Sequence, residues 1–175
     1  MPSRLHGTPD EWFAWLTGPD AQRRKEATLI LGGLQPEDPV DPAALIARLE
    51  DSSSDRVFWA IIGLSCLGPR AEAAVPKLAQ VSAADPAFGH RQAALGALVR
   101  VGPRSLLAKQ AILYALGDKN FWVRHSALEA LISISELTAD DLSAINKMEE
   151  DPEPLVRDQV EITLRNIRRR GSPAA

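Results

Sequence analysis

The sequence predicts an all-α protein, built as an α-solenoid of about five antiparallel helix pairs. The first observation is a residue frame that recurs along the chain. An Asp lies six residues before a reference position, mostly small residues lie three and six after it, and apolar residues lie seven and ten after it. The reference positions are separated by 33, 34, 33 and 33 residues, and they are Arg24, Val57, Arg91, Arg124 and Arg157. A period of this length indicates stacked units that bury one continuous core.

Two further observations support helices throughout the 175 residues. Leu and Ala dominate the chain, and both favour helices, whereas no run alternates between apolar and polar residues as a strand does. The dipeptides Gly68-Pro69 and Gly102-Pro103 each place a helix stop beside a helix start. The predicted units are a flexible lead-in (1–7), one domain (8–170) with repeats at 8–34, 42–68, 69–102, 103–136 and 138–170, and a frayed tail (171–175).

The first repeat begins with Thr8, Pro9 and Glu11. They supply an N-cap, a proline at the first helical position and the acid of a capping box. This pattern predicts a short helix, and a second helix is expected to follow Asp20.

The second repeat follows a loop that contains Pro36 and Pro39. Asp41-Pro42 starts its first helix. Residues 56–67 are apolar on most sides, which predicts a central, buried second helix.

The last three repeats carry equally clear boundaries. Residues 69–82 and 103–116 are the predicted first helices of repeats three and four. Pro76 is expected either to kink the first of these or to mark its true start. Residues 138–141 form a capping box that opens the fifth repeat, and the final helix is expected to run to about Arg169.

The second helix of the fourth repeat carries the most specific pattern. Asp118, Val123, Arg124, Ala127, Ala130 and Leu131 match the spacing Asp-x-x-x-x-Val-Arg-x-x-Ala-x-x-Ala-Leu. Over about residues 8–169 the chain resembles HEAT repeats, especially the short bacterial kind also found in phycobilisome lyases. The signature residues of tetratricopeptide and ankyrin repeats are absent. The resemblance implies a right-handed superhelix with the second helices on its concave side.

The resemblance also implies that the recurring Asp and Arg residues join neighbouring repeats by hydrogen bonds. Arg124 is therefore expected to matter more for stability than Lys109 or Arg48. The second repeat has Val57 in place of the Arg, and we expect apolar packing to substitute there. The ladder residues implied in this way are Asp85, Arg91, Asp118, Arg124, Asp151 and Arg157.

Charge and composition exclude several classes of protein. With 20 basic and 23 acidic residues the net charge is −3, which argues against broad binding to nucleic acid or anionic membranes. No apolar run approaches the roughly 20 residues of a membrane helix, and the first residues do not form a signal segment. We expect a cytoplasmic protein. Cys66, the single cysteine, is expected to be a buried small apolar residue.

A search for catalytic chemistry finds no candidate. His6, His90 and His125 occupy unrelated frame positions, and no His-Glu pair of the kind found in HEAT-like di-iron hydroxylases is present. Neither a nucleophile elbow nor a phosphate loop occurs. We therefore expect no catalytic, metal or cofactor residues, and no enzyme activity.

Basic residues cluster at the two ends of the predicted solenoid, at 23–25 and 165–170. A nucleic-acid-binding solenoid needs a basic stripe across consecutive repeats, and the middle repeats lack one.

The sequence predicts a non-catalytic scaffold or adaptor that binds a protein or peptide on the concave face of repeats two to four. The frame leaves positions one and five residues after the reference free to face outward. Alternative functions are a phycobilisome-lyase-like chromophore or chaperone-type lyase and a HEAT-like nucleic-acid-binding protein. Phe58 and Ile62 could instead belong to the core, because their helix is apolar nearly all round. The candidate partner-binding residues are Phe58, Trp59, Ile62, Gln92, His125 and Glu129.

Overall fold

A computed structural model describes residues 5–171, and within that range ten α-helices and four short 3₁₀ segments account for all regular structure. The prediction of an all-α protein is confirmed. The α-helices are α1 (Pro9–Thr17), α2 (Ala21–Gly32), α3 (Pro42–Ile46), α4 (Ser54–Leu67), α5 (Val75–Ala84), α6 (Phe88–Val101), α7 (Leu106–Tyr114), α8 (Phe121–Leu131), α9 (Ala139–Lys147) and α10 (Pro154–Gly171). The 3₁₀ segments are Ala47–Glu50, Gly68–Ala74, Ala115–Gly117 and Met148–Glu150.

The helices form two layers. The second helices α2, α4, α6, α8 and α10 each contact the next one along the chain, and the first helices lie on the other side of this row. This arrangement confirms the predicted α-solenoid. The division of residues 8–170 into one domain of five repeats stays a prediction. Of the predicted lead-in and tail, residues 1–4 and 172–175 lie outside the described residues.

Local chemistry explains most helix boundaries. Thr8 with Glu11, and Thr138 with Asp141, form reciprocal capping boxes at the starts of α1 and α9. Pro76 marks a true helix start, because α5 begins at Val75 and a proline is tolerated in a first turn. The predicted helix over 69–82 is corrected accordingly, since its first part is a 3₁₀ segment.

Two glycines are required by the backbone where the third repeat begins and ends. Gly68 has a φ of 56°, a conformation that side chains other than glycine rarely adopt. At Gly102 a Cβ atom would lie 2.6 Å from Cγ2 of Val75. Both residues let one helix end directly against the start of the next.

A row of leucines forms the centre of the core. The position seven residues after the reference is Leu in all five repeats, and every one of these side chains is buried. The position three residues after the reference is Ala in four repeats and is also buried. Small residues there allow the second helices to approach closely, so the leucines interlock between layers. The row comprises Leu31, Leu64, Leu98, Leu131 and Leu164.

Two arginines bridge consecutive repeats through paired hydrogen bonds. Nε and Nη2 of Arg91 donate to Asp118 at 2.7 and 2.8 Å, and the same atoms of Arg124 donate to Asp151 at 2.7 Å each. The remaining Nη1 of each Arg donates to the carbonyl of the Asp in its own repeat, Asp85 or Asp118. Each guanidinium therefore holds two successive interhelical turns at a fixed separation.

The same aspartates also shape the turns that hold them. Oδ1 of Asp118 accepts the N–H of Asn120 at 2.7 Å, and Oδ1 of Asp151 accepts that of Glu153 at 2.9 Å. Burial by itself would raise the pKa of Asp118 and Asp151, but hydrogen bonds from the Arg and from the turn amide hold both pKa values below the ordinary value. The carboxylates are therefore ionised and fully engaged at neutral pH.

The second repeat replaces the missing arginine with a polar contact that the sequence did not predict. Val57 is buried, as expected, but the Asp85 carboxylate still has a polar side-chain partner. Nδ1 of His90 lies 3.0 Å from Asp85 Oδ1, and Nε2 of His90 lies 3.0 Å from Ser54 Oγ. An Nδ1–H that donates to the carboxylate leaves Nε2 to accept the Ser54 hydroxyl proton. His90 therefore links repeats two and three.

The ladder does not continue through Arg157. Its Nη1 donates to the carbonyls of Asp151 and Pro152 at 2.6 and 3.1 Å, and it reaches no carboxylate within residues 5–171. Lys109, expected to be less important than Arg124, also joins repeats, because its Nζ lies 3.0 Å from Asp141 of α9. Lys109 is thus a poor reference for an ordinary surface charge.

We predict that Leu131→Ala lowers the free energy of unfolding by about 2–5 kcal/mol, because truncating a buried Leu removes apolar burial and leaves a cavity. Urea denaturation followed by circular dichroism measures the loss. Leu29→Ala is the matched control, since Leu29 is 67% exposed. A loss below about 0.5 kcal/mol for Leu131→Ala, within the range of surface substitutions, would contradict the assigned core position.

We predict that Arg124→Ala costs roughly 1–3 kcal/mol, because it leaves the buried Asp151 carboxylate without its main partner. Arg165→Ala, which removes an exposed pair with Glu161 on one helix, is expected to cost about 0–1 kcal/mol. Thermal and urea denaturation of both variants provide the measurement. Equal stability of the two variants would show that the ladder contributes nothing beyond a surface ion pair.

Stability is expected to fall at acid pH. The lowered pKa values of Asp118 and Asp151 mean that their contribution is fully present above the unfolded-state pKa of about 3.9, and that it is lost as the pH falls through the folded-state values. Urea denaturation at a series of pH values tests this. Asp118→Asn should make the free energy of unfolding depend less on pH below about pH 4. If the variant shows the same pH dependence as the wild-type protein, the ladder is not the cause of the acid sensitivity.

Candidate functional site

An open groove crosses the middle of the second-helix layer and is the candidate site. It has a volume of about 540 Å³ and extends over α4, α6 and α8. Its wall on the α4 side is apolar, its floor is formed by α6, and its far side on α8 carries polar groups. The lining residues are Phe58, Ile62, Gly89, Gln92, Ala93, Gly96, Val99, Ser126, Glu129, Ala130 and Ser133.

The structure brings four of the six candidate partner-binding residues together in this groove. Phe58 and Ile62 are half-buried and stand one turn apart on α4, so they are neither fully core nor freely exposed. Gln92 lies on the floor and Glu129 on the far side. The frame predicted these positions because residues one and five after the reference share a helix face.

The other two candidates, Trp59 and His125, do not line the groove, and their part in partner binding stays a prediction. Trp59 follows Phe58 by one residue and so turns about 100° away on the helix. Its ring lies 3.3 Å from where a Cβ of Gly32 would stand, so it packs toward α2. His125 sits beside the groove, with its Nδ1 3.6 Å from Glu129 and its ring 6.2 Å from that of Trp122.

The floor of the groove consists of small residues. The frame places Gly96 on the outward face, five residues after Arg91, but it does not predict Gly89 or Ala93 there. Gly89, Ala93 and Gly96 lie on one face of α6, and a Cβ at either glycine would meet nothing within 4 Å. The open space above the floor therefore exists because side chains are absent. A signal was available in the sequence, since a glycine inside a helix costs about 1 kcal/mol relative to Ala and usually has a packing or functional reason.

The polar side of the groove is organised by a contact between helices. Nε2 of Gln92 donates to Oγ of Ser126 at 3.0 Å, which ties α6 to α8 across the floor. Glu129 is the one ionisable residue among those that line the groove, and its side chain is more than half exposed. A ligand in the groove thus meets apolar surface on one side and a carboxylate on the other.

The histidines and the cysteine, which lie outside the groove lining, make structural contacts. Within the described residues no group of three or more His, Cys, Asp and Glu side chains is arranged to hold a metal ion. His6 contacts Glu26 at 2.7 Å, and His90 and His125 have the partners described above. Cys66 is half-buried rather than fully buried as predicted, and its Sγ–H donates to the Gly32 carbonyl at 3.5 Å. Burial raises the pKa of its thiol.

None of the helices in the described part of the chain is long and apolar enough to cross a membrane.

The basic clusters stay at opposite ends, and several of their members are engaged. Arg23 pairs with Glu26 at 3.0 Å and lies over the Trp15 ring. At the other end Arg165 pairs with Glu161, and Arg170 donates to the carbonyl of Ile134 at 3.0 Å.

Comparison with known proteins supports the resemblance seen in the sequence. A family model of HEAT repeats matches residues 75–165, more than half of the chain, and the predicted resemblance is confirmed. No curated protein matches the sequence.

Three solved structures illustrate the likeness of fold, each below 25% identity. One is the complex of CpcE and CpcF of phycocyanin lyase from Nostoc sp. PCC7120, with a TM-score of 0.71 and 18% identity over 89% of this chain and 97% of that one. Human deoxyhypusine hydroxylase in complex with glycerol gives a TM-score of 0.62 and 20% identity over 92% and 62% of the two chains. A designed armadillo repeat protein in complex with the peptide (KR)4 gives a TM-score of 0.60 and 13% identity over 89% of this chain and 80% of that one.

Proposed function

Because the chain belongs to the HEAT-repeat family, we propose that it is a non-catalytic scaffold or adaptor that binds a protein or peptide segment in the groove over α4, α6 and α8. The single observation that carries the proposal is the groove itself, in which two half-buried apolar side chains face an unfilled glycine floor. A segment that inserts an apolar side chain between Phe58 and Gly96 would exclude water from all three helices.

The composition of the groove narrows the chemistry of the partner. Phe58 and Ile62 favour an apolar anchor, and apolar surface in a groove of this size is typical of binding sites. Glu129, on the opposite side, favours a hydrogen-bond donor or a cationic group next to that anchor. The designed armadillo repeat protein of similar fold is in complex with a basic peptide, which is consistent with a peptide ligand.

A second candidate function is a phycobilisome-lyase-like chromophore or chaperone-type activity. It is favoured by the extent of the likeness to the CpcE and CpcF complex, since the shared fold covers nearly the whole of that chain. Binding of purified phycocyanin to the chain, competed by a groove ligand, would favour this candidate. The third possibility, a nucleic-acid-binding role, has no supporting feature, because no basic stripe crosses the middle repeats.

We predict that Gly96→Leu weakens partner binding at least about tenfold, since a Leu side chain projects into space that the wild-type chain leaves open and occupies the site of the anchor. Stability should be unchanged or slightly raised, because Leu favours a helix over Gly. Ligands selected from a phage-displayed peptide library on the wild-type protein serve as probes, and their dissociation constants are measured for each variant by fluorescence anisotropy.

Gly117→Leu is the matched control, because a Cβ at Gly117 also meets nothing within 4 Å and the residue lies outside the groove. The double variant Phe58→Ser with Ile62→Ser should also abolish binding. If Gly96→Leu folds and binds as tightly as Gly117→Leu, the groove is not the binding site.

A further inference from the structure

The arginine ladder ends at Arg157, whose paired donors have no carboxylate partner among residues 5–171. In Arg91 and Arg124, Nη1 donates to the carbonyl of the Asp in the same repeat, while Nε and Nη2 form a fork that holds the Asp carboxylate of the next repeat. Arg157 occupies the same position in the last repeat, and only its Nη1 makes the equivalent contact.

The turn that holds Arg157 is built like the turn that holds Arg91. Nη1 of Arg91 donates to both carbonyls of Asp85-Pro86 at 2.8 and 3.3 Å, and Nη1 of Arg157 donates to both carbonyls of Asp151-Pro152 at 2.6 and 3.1 Å. A guanidinium is planar and its donors have a fixed geometry. The same two anchors therefore orient the fork of Arg157 as they orient the fork of Arg91, which binds an Asp.

The fork of Arg157 opens into a recess of about 570 Å³ at the end of the solenoid. The recess reaches the leucine row, because Leu164 is 8% exposed whereas the other four leucines are fully buried. Its lining contains four arginines and two glutamates, and one of the glutamates, Glu161, already pairs with Arg165. The surroundings of the fork are therefore basic on balance, which favours an anionic group.

The outer side of α10 disfavours a further apolar repeat as the occupant of this recess. The position four residues after the reference lies on the same helix face as the ladder arginine. In α4, α6 and α8 it is apolar and fully buried, and the residues are Ile61, Leu95 and Leu128. In α10 it is Glu161, which is exposed. An apolar repeat stacked there would bury a carboxylate, so the matching partner has a polar surface.

A second copy of this chain does not match the recess either. The first repeat carries the basic cluster at 23–25, and head-to-tail stacking of two copies would bring this cluster toward the arginines of α10. Like charges that face each other across a contact are costly. The occupant that fits both the fork and the charge is a carboxylate from a different protein.

We propose that Arg157 is a docking site for an aspartate of a partner protein, presented on a polar surface at the start of a helix. Asp118 and Asp151 are presented in this way within the chain, each at the turn before a second helix. The partner carboxylate accepts from Nε and Nη2 of Arg157, and the helix start covers Leu164. The site shares no residue with the groove over α4, α6 and α8, so it does not depend on the function proposed for that groove.

Nuclear magnetic resonance of the full-length, isotope-labelled chain tests the proposal through the Nε–Hε signals of its arginines. The probe is a synthetic helical peptide rich in Ala and Gln that begins with Asp-Pro-Glu, the sequence of the Asp151 turn. We expect the Arg157 signal to shift and to saturate with a dissociation constant of about 1 mM. The signals of Arg91 and Arg124 should not move, because their forks are occupied. The same peptide with Asn in place of its Asp should bind at least about fivefold more weakly, since it loses the charge-assisted bonds.

Arg157→Lys keeps the charge but removes the fork, and it should weaken binding of the Asp peptide at least about fivefold. Arg104→Lys is the matched control, because Arg104 is also exposed but lies outside the recess; it should leave binding unchanged. Circular dichroism verifies the fold of both variants.

Three results would overturn the proposal: an Arg157 signal that does not shift, equal binding of the Asp and Asn peptides to the wild-type chain, or unchanged binding in a folded Arg157→Lys variant. Two competing occupants are tested in the same samples. A DNA duplex that shifts the Arg157 signal at lower concentration than the peptide would make the recess a phosphate site. Self-association of the wild-type chain that Arg157→Lys removes, seen by sedimentation equilibrium, would make it a contact between copies. Either result also overturns the proposal.

Discussion

The structure depends on the paired hydrogen bonds by which one arginine spans two interhelical turns. Arg91 and Arg124 each hold a carboxylate of the next repeat and a carbonyl of their own. The carbonyls belong to the turns, and the carboxylates are bonded to turn amides. The contact therefore fixes the distance between the two second helices that it joins, and the buried leucines of those helices pack at that distance. The fork between Arg91 and Asp118 joins the repeats of α6 and α8, and it therefore fixes one side of the groove over α4, α6 and α8.

Two junctions in this ladder are built differently, and one of them lies beside the groove wall. Between repeats one and two, Arg24 donates to the Gly18 carbonyl and Asp51 pairs with Arg56, so no fork joins them. Between repeats two and three, His90 and Ser54 replace the arginine fork that Val57 cannot provide. The bond between His90 and Asp85 lies within repeat three, so a single hydrogen bond, between Ser54 and His90, crosses the junction where the fork supplies two charge-assisted ones. Phe58 follows Val57 directly, and its ring centroid is 6.5 Å from that of His90. The apolar wall of the groove thus stands at a junction that no arginine fork holds.

The period of the sequence predicts the fold well, because each repeat needs its neighbours in order to bury its apolar face, and so the same positions recur as core. The same reasoning places Phe58, Ile62, Gln92 and Glu129 on one surface. It fails for features that depend on what a neighbouring repeat lacks. His90 pairs with Asp85 only because position 57 is not an arginine, and the frame treats each repeat alone. The open floor of α6 was not predicted for a related reason, since the frame places Gly96 on the outward face but does not record that the space above it is empty.

The two layers of the solenoid have different physical tasks. The second-helix layer carries the ladder, so its exposed face can keep a half-buried apolar wall and an open floor without losing its shape. The first-helix layer is tied by ion pairs of its own, such as Lys77 with Glu50 and Lys109 with Asp141, and within the described residues its exposed large apolar side chains all belong to α7. An exposed Leu and Tyr gain nothing for the fold, and unshielded apolar surface favours association. The groove occupies the second-helix layer and α7 the first, so a ligand in the groove leaves the exposed apolar side chains of α7 uncovered.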